Sequence, residues 1–249
     1  MSILLFNLKN YLSVDESLRV AKSLGRAEKE HEVIVAPQHL SLYGASKMGF
    51  TGNSSLCAQN FDYAESYGAH TGDVLVQDLK MMGCKYALIG HSEVRHRNEP
   101  RIGESDELIA KKVRLCFKHG ITPVVCFGET GKEKDSGETE EVARRQLSSA
   151  FHYASAVYGK EALLAYEPVW AISSSKNAES CNVDYVSRIF EVVRKTVPEG
   201  IKYRFLYGGS VNGDNIRTYM SSGFIDGVLI GRAGTEPQSL SRIMEALKG

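Results

Sequence analysis

A chain of 249 residues, 43% hydrophobic and 24% charged, is long enough to bury about three quarters of its unfolded surface, so it needs no disulfide or metal staple. Thirty basic residues balance thirty acidic ones, and no basic block is longer than a pair; this argues against a nucleic-acid partner. The five cysteines are odd in number and lack C-x-x-C spacing, which fits reduced thiols in a reducing cytosol.

At the start, MSILLFNLKN has an apolar run too short for a signal-peptide core and lacks a basic segment before it. No later stretch approaches a membrane span. The reading is a soluble, cytoplasmic protein with no membrane partner. Asn53-Ser54-Ser55 matches a glycosylation sequon, and without a secretory signal it is read as chance.

In chain order, the first strand-like run is ILLFN (3–7), followed by the amphipathic SLRVAKSLGRAEKE. EVIVA (32–36), SLCAQ (55–59) and YALIG (86–90) are the next three runs. A helix is then predicted over SDELIAKKVRLCFKHG, with Ser105 as N-cap and Gly120 just past the end. TPVVCF (122–127) precedes the helical ETEEVARRQLSSAFHYASAVYG, and LLAYE (163–167) precedes NVDYVSRIFEVVRKTV. YRFLY (203–207), GVLIG (227–231) and a last helix over SLSRIMEALKG complete the series. The runs are nearly continuous in apolar character, as strands buried on both faces should be. Eight such runs alternating with helical segments predict an α/β fold, a single-domain (β/α)8 barrel over residues 1–249. A doubly wound sheet is the alternative, but no G-x-G-x-x-G turn follows the first run.

In such a barrel the loops after the strands carry the chemistry. Those ends hold Asn7 with Lys9, Gln59-Asn60, His91 with Glu93, Glu129, Glu167, Gly208-Gly209-Ser210 and Gly231-Arg232. Strands must end in something polar, but a rim with one lysine, one histidine, glutamates and two glycine turns exceeds that expectation. The turns YGGSVNGDNI and LIGRAG follow runs seven and eight, where barrels hold phosphate, and glycines let a backbone approach an anion closely. Lys9 is placed to face such a ligand. His91 and His96 are five apart, which matches no metal-ligand spacing, and HExxH is absent, so no metal site is expected. A neutral imidazole donating to a carbonyl oxygen is open to His91. Glu167 ends a buried run and is followed by Pro168-Val169-Trp170, a stiff hinge, and by the small-residue segment AISSSKNA, a lid. A partly desolvated carboxylate there would be a strong base toward a carbon acid.

The motifs NLK, AQN (58–60), GAHTGD (68–73), LIGHSE (88–93), PVVCFGE, AYEPVWAI, LYGGSVN and DGVLIG occur in an order and spacing that resemble the triosephosphate isomerase family over essentially the whole chain. The resemblance implies a TIM barrel that interconverts dihydroxyacetone phosphate and glyceraldehyde 3-phosphate through an enediolate, without cofactor or metal. It implies Glu167 as the base, His91 as the neutral electrophile, and Lys9 and Asn7 as groups that steady the enediolate. Amides of Ser173, Ser210, Gly231 and Arg232 would hold the phosphate, with Glu93 behind the site and Tyr207 latching the lid near Ala178. The loop around Thr71 implies a homodimer.

The chain departs from the family pattern at several points. N-W-K-M-N is Asn7-Leu8-Lys9-Asn10-Tyr11 here, and the first arginine of H-S-E-R-R is Val94, removing an ion pair beside the dimer loop. The lid's G-T-G is Ser173-Ser174-Ser175, and the second glycine of the last turn is Arg232. Arg232 fits if its φ stays negative and its side chain turns away, or its guanidinium reaches the phosphate; the first reading is favoured, because Lys9, Ser210 and Gly231 already supply charge and donors. A rival function is the same chemistry on a longer phosphorylated ketose such as a tetrulose phosphate, and another is a barrel that binds without turnover. The intact Lys9, His91 and Glu167 set argues against the latter.

Overall fold

Eight parallel strands close into one barrel in the computed structural model, which describes residues 1–26, 30–50, 52–97, 102–153, 159–172 and 180–248. The first half runs β1 (Ile3–Asn7), α1 (Val14–Arg26), β2 (Glu32–Ala36), α2 (His39–Ser46), β3 (Ser54–Ala58), α3 (Val76–Met81) and β4 (Tyr86–Ile89). Two helices follow, α4 (Ser92–Arg95) and α5 (Asp106–His119), then β5 (Thr122–Phe127), α6 (Gly131–Asp135) and α7 (Thr139–Ala150). The chain ends with β6 (Glu161–Tyr166), α8 (Val183–Thr196), β7 (Lys202–Tyr207), α9 (Ile216–Met220), β8 (Gly227–Ile230) and α10 (Pro237–Leu247). β1 pairs with both β2 and β8, so the sheet has no free edge.

The two faces of each strand explain the continuous apolar runs. Leu5, Ile34, Leu88, Val124, Leu163 and Leu206 fill the barrel interior. Their alternating neighbours, among them Phe6, Val35, Ile89, Val125 and Leu164, pack under the helices. Helix ends follow local chemistry. Ser105 caps α5 by accepting from the Leu108 N–H, and Gly120 closes it in the left-handed region at φ 66°. Asn182 caps α8, and Thr130 with Glu133 forms a capping box on α6.

Charged residues seal the N-terminal mouth. Arg204 on β7 reaches across the barrel to Glu32 on β2 at 2.5 Å and to Glu161 on β6 at 2.9 Å. The Tyr86 hydroxyl donates to Glu32 at 2.6 Å. Glu161 explains why β6 starts two residues before its apolar run: the carboxylate is held in the sheet by Arg204. Of the described residues, no helix is long and apolar enough to cross a membrane.

Candidate active site

At the opposite mouth, the chain just past β1 takes a strained turn. Lys9 has φ 47°, a left-handed conformation that an L side chain adopts at a cost. Its neighbours hold it there. Asn7 Oδ1 accepts the Lys9 N–H at 3.1 Å, and the Gln59 amide donates to the carbonyls of Lys9 and Ala36, each at 3.0 Å. The Lys9 ammonium is thereby carried over the barrel mouth to Glu93, 2.6 Å away.

His91 follows β4 and caps α4. Its Nδ1 accepts the Glu93 N–H at 3.1 Å. With Nδ1 accepting a backbone N–H, Nε2 is the ring nitrogen left to donate. That Nε2 faces Glu167 Oε1 at 3.4 Å, with both side chains buried.

Glu167 lies one residue past β6, where its N–H donates to the Phe127 carbonyl at 2.8 Å and prolongs the ladder. Its other oxygen, Oε2, is buried without a hydrogen-bond partner among the described residues. Burial pushes the Glu167 carboxyl up; the His91 ring, the Lys9 ammonium and the Cys126 thiol outweigh it and hold the carboxyl below its ordinary value. The result is a carboxylate with one oxygen free of partners among the described residues, beside the His91 Nε2 donor.

The glycine pair after β7 serves a purpose its sequence does not announce. A methyl group on Gly208 would stand 2.8 Å from Glu167 Cγ, and one on Gly209 would collide with the Tyr207 hydroxyl. Both glycines make room for the protein's own side chains rather than for a ligand. Gly231 is different: its φ of −92° and ψ of −116° are unusual for an L residue, and a methyl group there would meet only Lys9 Cε, at 3.9 Å. Beside it Ser210 has φ 49° and anchors its hydroxyl on the Ala171 carbonyl at 2.6 Å. Its N–H has no acceptor among the described residues. Ser210, Gly231, Arg232, Lys9 and Glu167 line one cavity of about 190 Å³. Asn7, Lys9, Tyr11, His91 and Glu93 line a second, of about 430 Å³, and Lys9 belongs to both.

A family model described as triosephosphate isomerase matches residues 2–247. The chain belongs to the triosephosphate isomerase family. It is 34% identical over 253 residues to the triosephosphate isomerase of Dictyoglomus thermophilum, with 98% of each chain covered. It is 38% identical over 219 residues to that of Aquifex aeolicus, covering 87% of this chain and 86% of the other. The similarity to the Symbiobacterium thermophilum triosephosphate isomerase is 37% over 222 residues, with 86% and 83% covered. The chain is thus an enzyme, a triose-phosphate isomerase, and none of these relatives is named for a longer ketose phosphate.

Of the residues singled out for the triosephosphate isomerase site, Asn7, Lys9, His91, Glu93, Glu167, Ser210, Gly231 and Arg232 come together around the two cavities. Ser173 and the rest of the lid, residues 173–179, lie outside the described residues, as does Ala178. Tyr207 is fully buried, and its hydroxyl accepts the Cys181 N–H at 2.9 Å, while the Tyr219 hydroxyl donates to the Cys181 carbonyl at 2.6 Å. Val94 is buried, and Arg95 keeps its own pair with Asp106 at 2.5 Å.

Three supporting groups escaped sequence reasoning or were seen only in part. Glu129 is not a free rim carboxylate. Trp170 Nε1 donates to it at 2.8 Å, and the hydroxyls of Tyr166 and Tyr185 donate at 3.0 Å, tying the segment after Glu167 to β5. Burial pushes the Glu129 carboxyl above its ordinary value despite these donors. Arg95 donates to the carbonyls of Gly90 and Cys126, bracing the strand ends that carry His91 and face Glu167. Lys112 is buried against Glu104 at 2.5 Å and Asn60 at 3.2 Å. Its signal was available: a lysine inside the apolar face formed by Ile109, Val113 and Cys116.

Proposed function

We propose that Glu167 is the base that moves a proton between adjacent carbons of dihydroxyacetone phosphate. Its carboxylate takes a proton from C1, the C–H electrons become the C1–C2 double bond, and the C2 carbonyl oxygen takes the negative charge. The neutral His91 Nε2–H donates to the developing oxyanion and passes a proton between the two oxygens. The same carboxyl then returns its proton to C2, giving glyceraldehyde 3-phosphate. Lys9 and Asn7 steady the enediolate charge, and the amides of Ser173, Ser210, Gly231 and Arg232 hold the phosphate. Glu93 fixes both Lys9 and the His91 tautomer, and Tyr207 latches the chain beyond the lid. No cofactor or metal is needed for this scheme.

One observation carries the reading: a buried, ionised Glu167 stands 3.4 Å from an imidazole whose Nδ1 is occupied by a backbone N–H. Such a donor acts mainly on charge that develops in the transition state. A homodimer formed through the loop around Thr71 belongs to the same proposal. Residues 65–73 are exposed, and the loop base is pinched by the Asp62 N–H on the Val74 carbonyl and the Val74 N–H on the Asp62 carboxylate. A cytoplasmic place in glycolysis and gluconeogenesis completes it.

Initial rates with dihydroxyacetone phosphate, tetrulose phosphate and pentulose phosphate test the reading. Turnover of the triose far above the others is expected. Turnover of none would leave a binding protein, and preference for a longer ketose would overturn the substrate assignment.

A further inference from the structure

Two departures from the family pattern, Tyr11 and Arg232, stand at opposite ends of the chain and meet at the active-site mouth. The Arg232 guanidinium carbon lies 5.2 Å over the Tyr11 ring, and the Lys9 ammonium lies 5.9 Å from the same ring. Arg232 has no positive φ, so its backbone accepts the side chain without left-handed strain. To that extent mere tolerance of an arginine holds. The charge balance points further. Sequence reasoning counted Lys9 as the cation of the phosphate cradle, but Glu93 engages Lys9 at 2.6 Å. Glu167 and Glu236 line the same cavity, and both are carboxylates. Arg232 has no carboxylate partner among the described residues. Among the described residues it is the cation of this cavity whose charge is not matched.

We infer that the Arg232 side chain recruits the phosphate dianion of the substrate, and that Tyr11 is the positioning residue that holds the guanidinium at the cavity mouth. This rests on the reading that the cradle of Ser210 and Gly231 takes the phosphate. The two contacts use different parts of the guanidinium. A guanidinium stacks on a ring through its face, and its N–H groups point outward along its edge toward an oxyanion. An exposed cation–π contact is worth about two- to fivefold in an equilibrium. A charge-assisted hydrogen bond to phosphate is worth roughly ten- to a hundredfold. The phosphate contact therefore dominates, and the ring contributes by fixing where the charge waits.

Competitive inhibition constants for inorganic phosphate, with KM and kcat for dihydroxyacetone phosphate, test the inference in wild type, Arg232→Gln, Arg232→Lys, Tyr11→Leu, Tyr11→Phe and the double variant Tyr11→Leu/Arg232→Gln. Arg232→Gln should raise the phosphate constant about tenfold, with KM rising more than kcat falls, and Arg232→Lys should recover part of the loss. Tyr11→Leu should cost about two- to fivefold, Tyr11→Phe should restore it, and the Leu change should add almost nothing once Arg232 is gone. A phosphate constant within twofold of wild type in Arg232→Gln overturns the inference and leaves Arg232 merely tolerated. Additive effects of the two changes overturn the positioning role of Tyr11. If inorganic phosphate fails to compete in wild type, the cradle reading falls and this inference falls with it.

Discussion

Gly208 carries no side chain because Glu167 fills the space beside it. In Gly208→Ala the new methyl group would stand 2.8 Å from Glu167 Cγ, 3.3 Å from its Oε1 and 3.3 Å from Leu229 Cβ. Carbon atoms pack at about 3.5–4.0 Å, so Glu167 must retreat by about 1 Å while Leu229 yields by a few tenths. A catalytic group misplaced by about 1 Å loses on the order of a hundredfold in rate. Because the strand carrying Leu229 is closed into the barrel, the glutamate side chain is the part that gives. The expected result is a kcat for dihydroxyacetone phosphate lowered roughly 30- to 100-fold, measured by coupling product to NADH oxidation. Overpacking of this kind costs about 1–3 kcal/mol, so the thermal midpoint should fall by only about 2–12 °C. A kcat within threefold of wild type would refute the reasoning, because the rate would then not depend on where Glu167 sits.

His91→Gln should lower kcat by roughly 10²–10³ while KM changes far less; a raised KM with unchanged kcat would make His91 a ground-state binder. Burial pushes the Glu32 carboxyl up, but the hydrogen bonds from Arg204 and Tyr86 outweigh it and hold the carboxyl below its ordinary value of 4.5. A folded value below the unfolded one gives stability that is present above pH 4.5 and is lost as pH falls below it toward the depressed folded value. Urea midpoints followed downward from pH 5 should therefore drop less steeply in Glu32→Gln than in wild type, and equal slopes would contradict the contribution of this pair. Removing residues 69–73 from the exposed loop should yield monomers with a large loss of activity, read by sedimentation and assay of the same sample; a fully active monomer would show the loop interface to be dispensable.

The barrel was legible because its strands are buried on both faces, so each appears as an unbroken apolar run. The rim was legible for a related reason: Lys9, His91 and Glu167 interrupt an apolar pattern where strands end. α2 was not legible. Leu40 and Tyr43 are exposed while Leu42 and Ala45 are buried, so apolar residues surround the helix and no period stands out. The reason for Gly208-Gly209 was hidden too, because the atoms that need the space belong to Glu167 and Tyr207. Long-range charge matching escaped in the same way. Nothing local to Lys9 shows that Glu93 engages it, and nothing local to Arg232 shows Tyr11 beneath it. Contacts of that kind are set by the closure of the barrel, which brings β1 beside β8.

Proton transfer by Glu167 is tested most directly by converting dihydroxyacetone phosphate in D₂O and following the products by NMR, with wild type and Glu167→Gln side by side. Wild type should deliver glyceraldehyde 3-phosphate carrying deuterium at C2 and return starting ketose carrying deuterium at C1, because the carboxyl exchanges its proton with solvent during the enediolate's life. Glu167→Gln should produce neither. Isomerisation without deuterium, or full deuterium incorporation by the glutamine variant, would contradict Glu167 as the base.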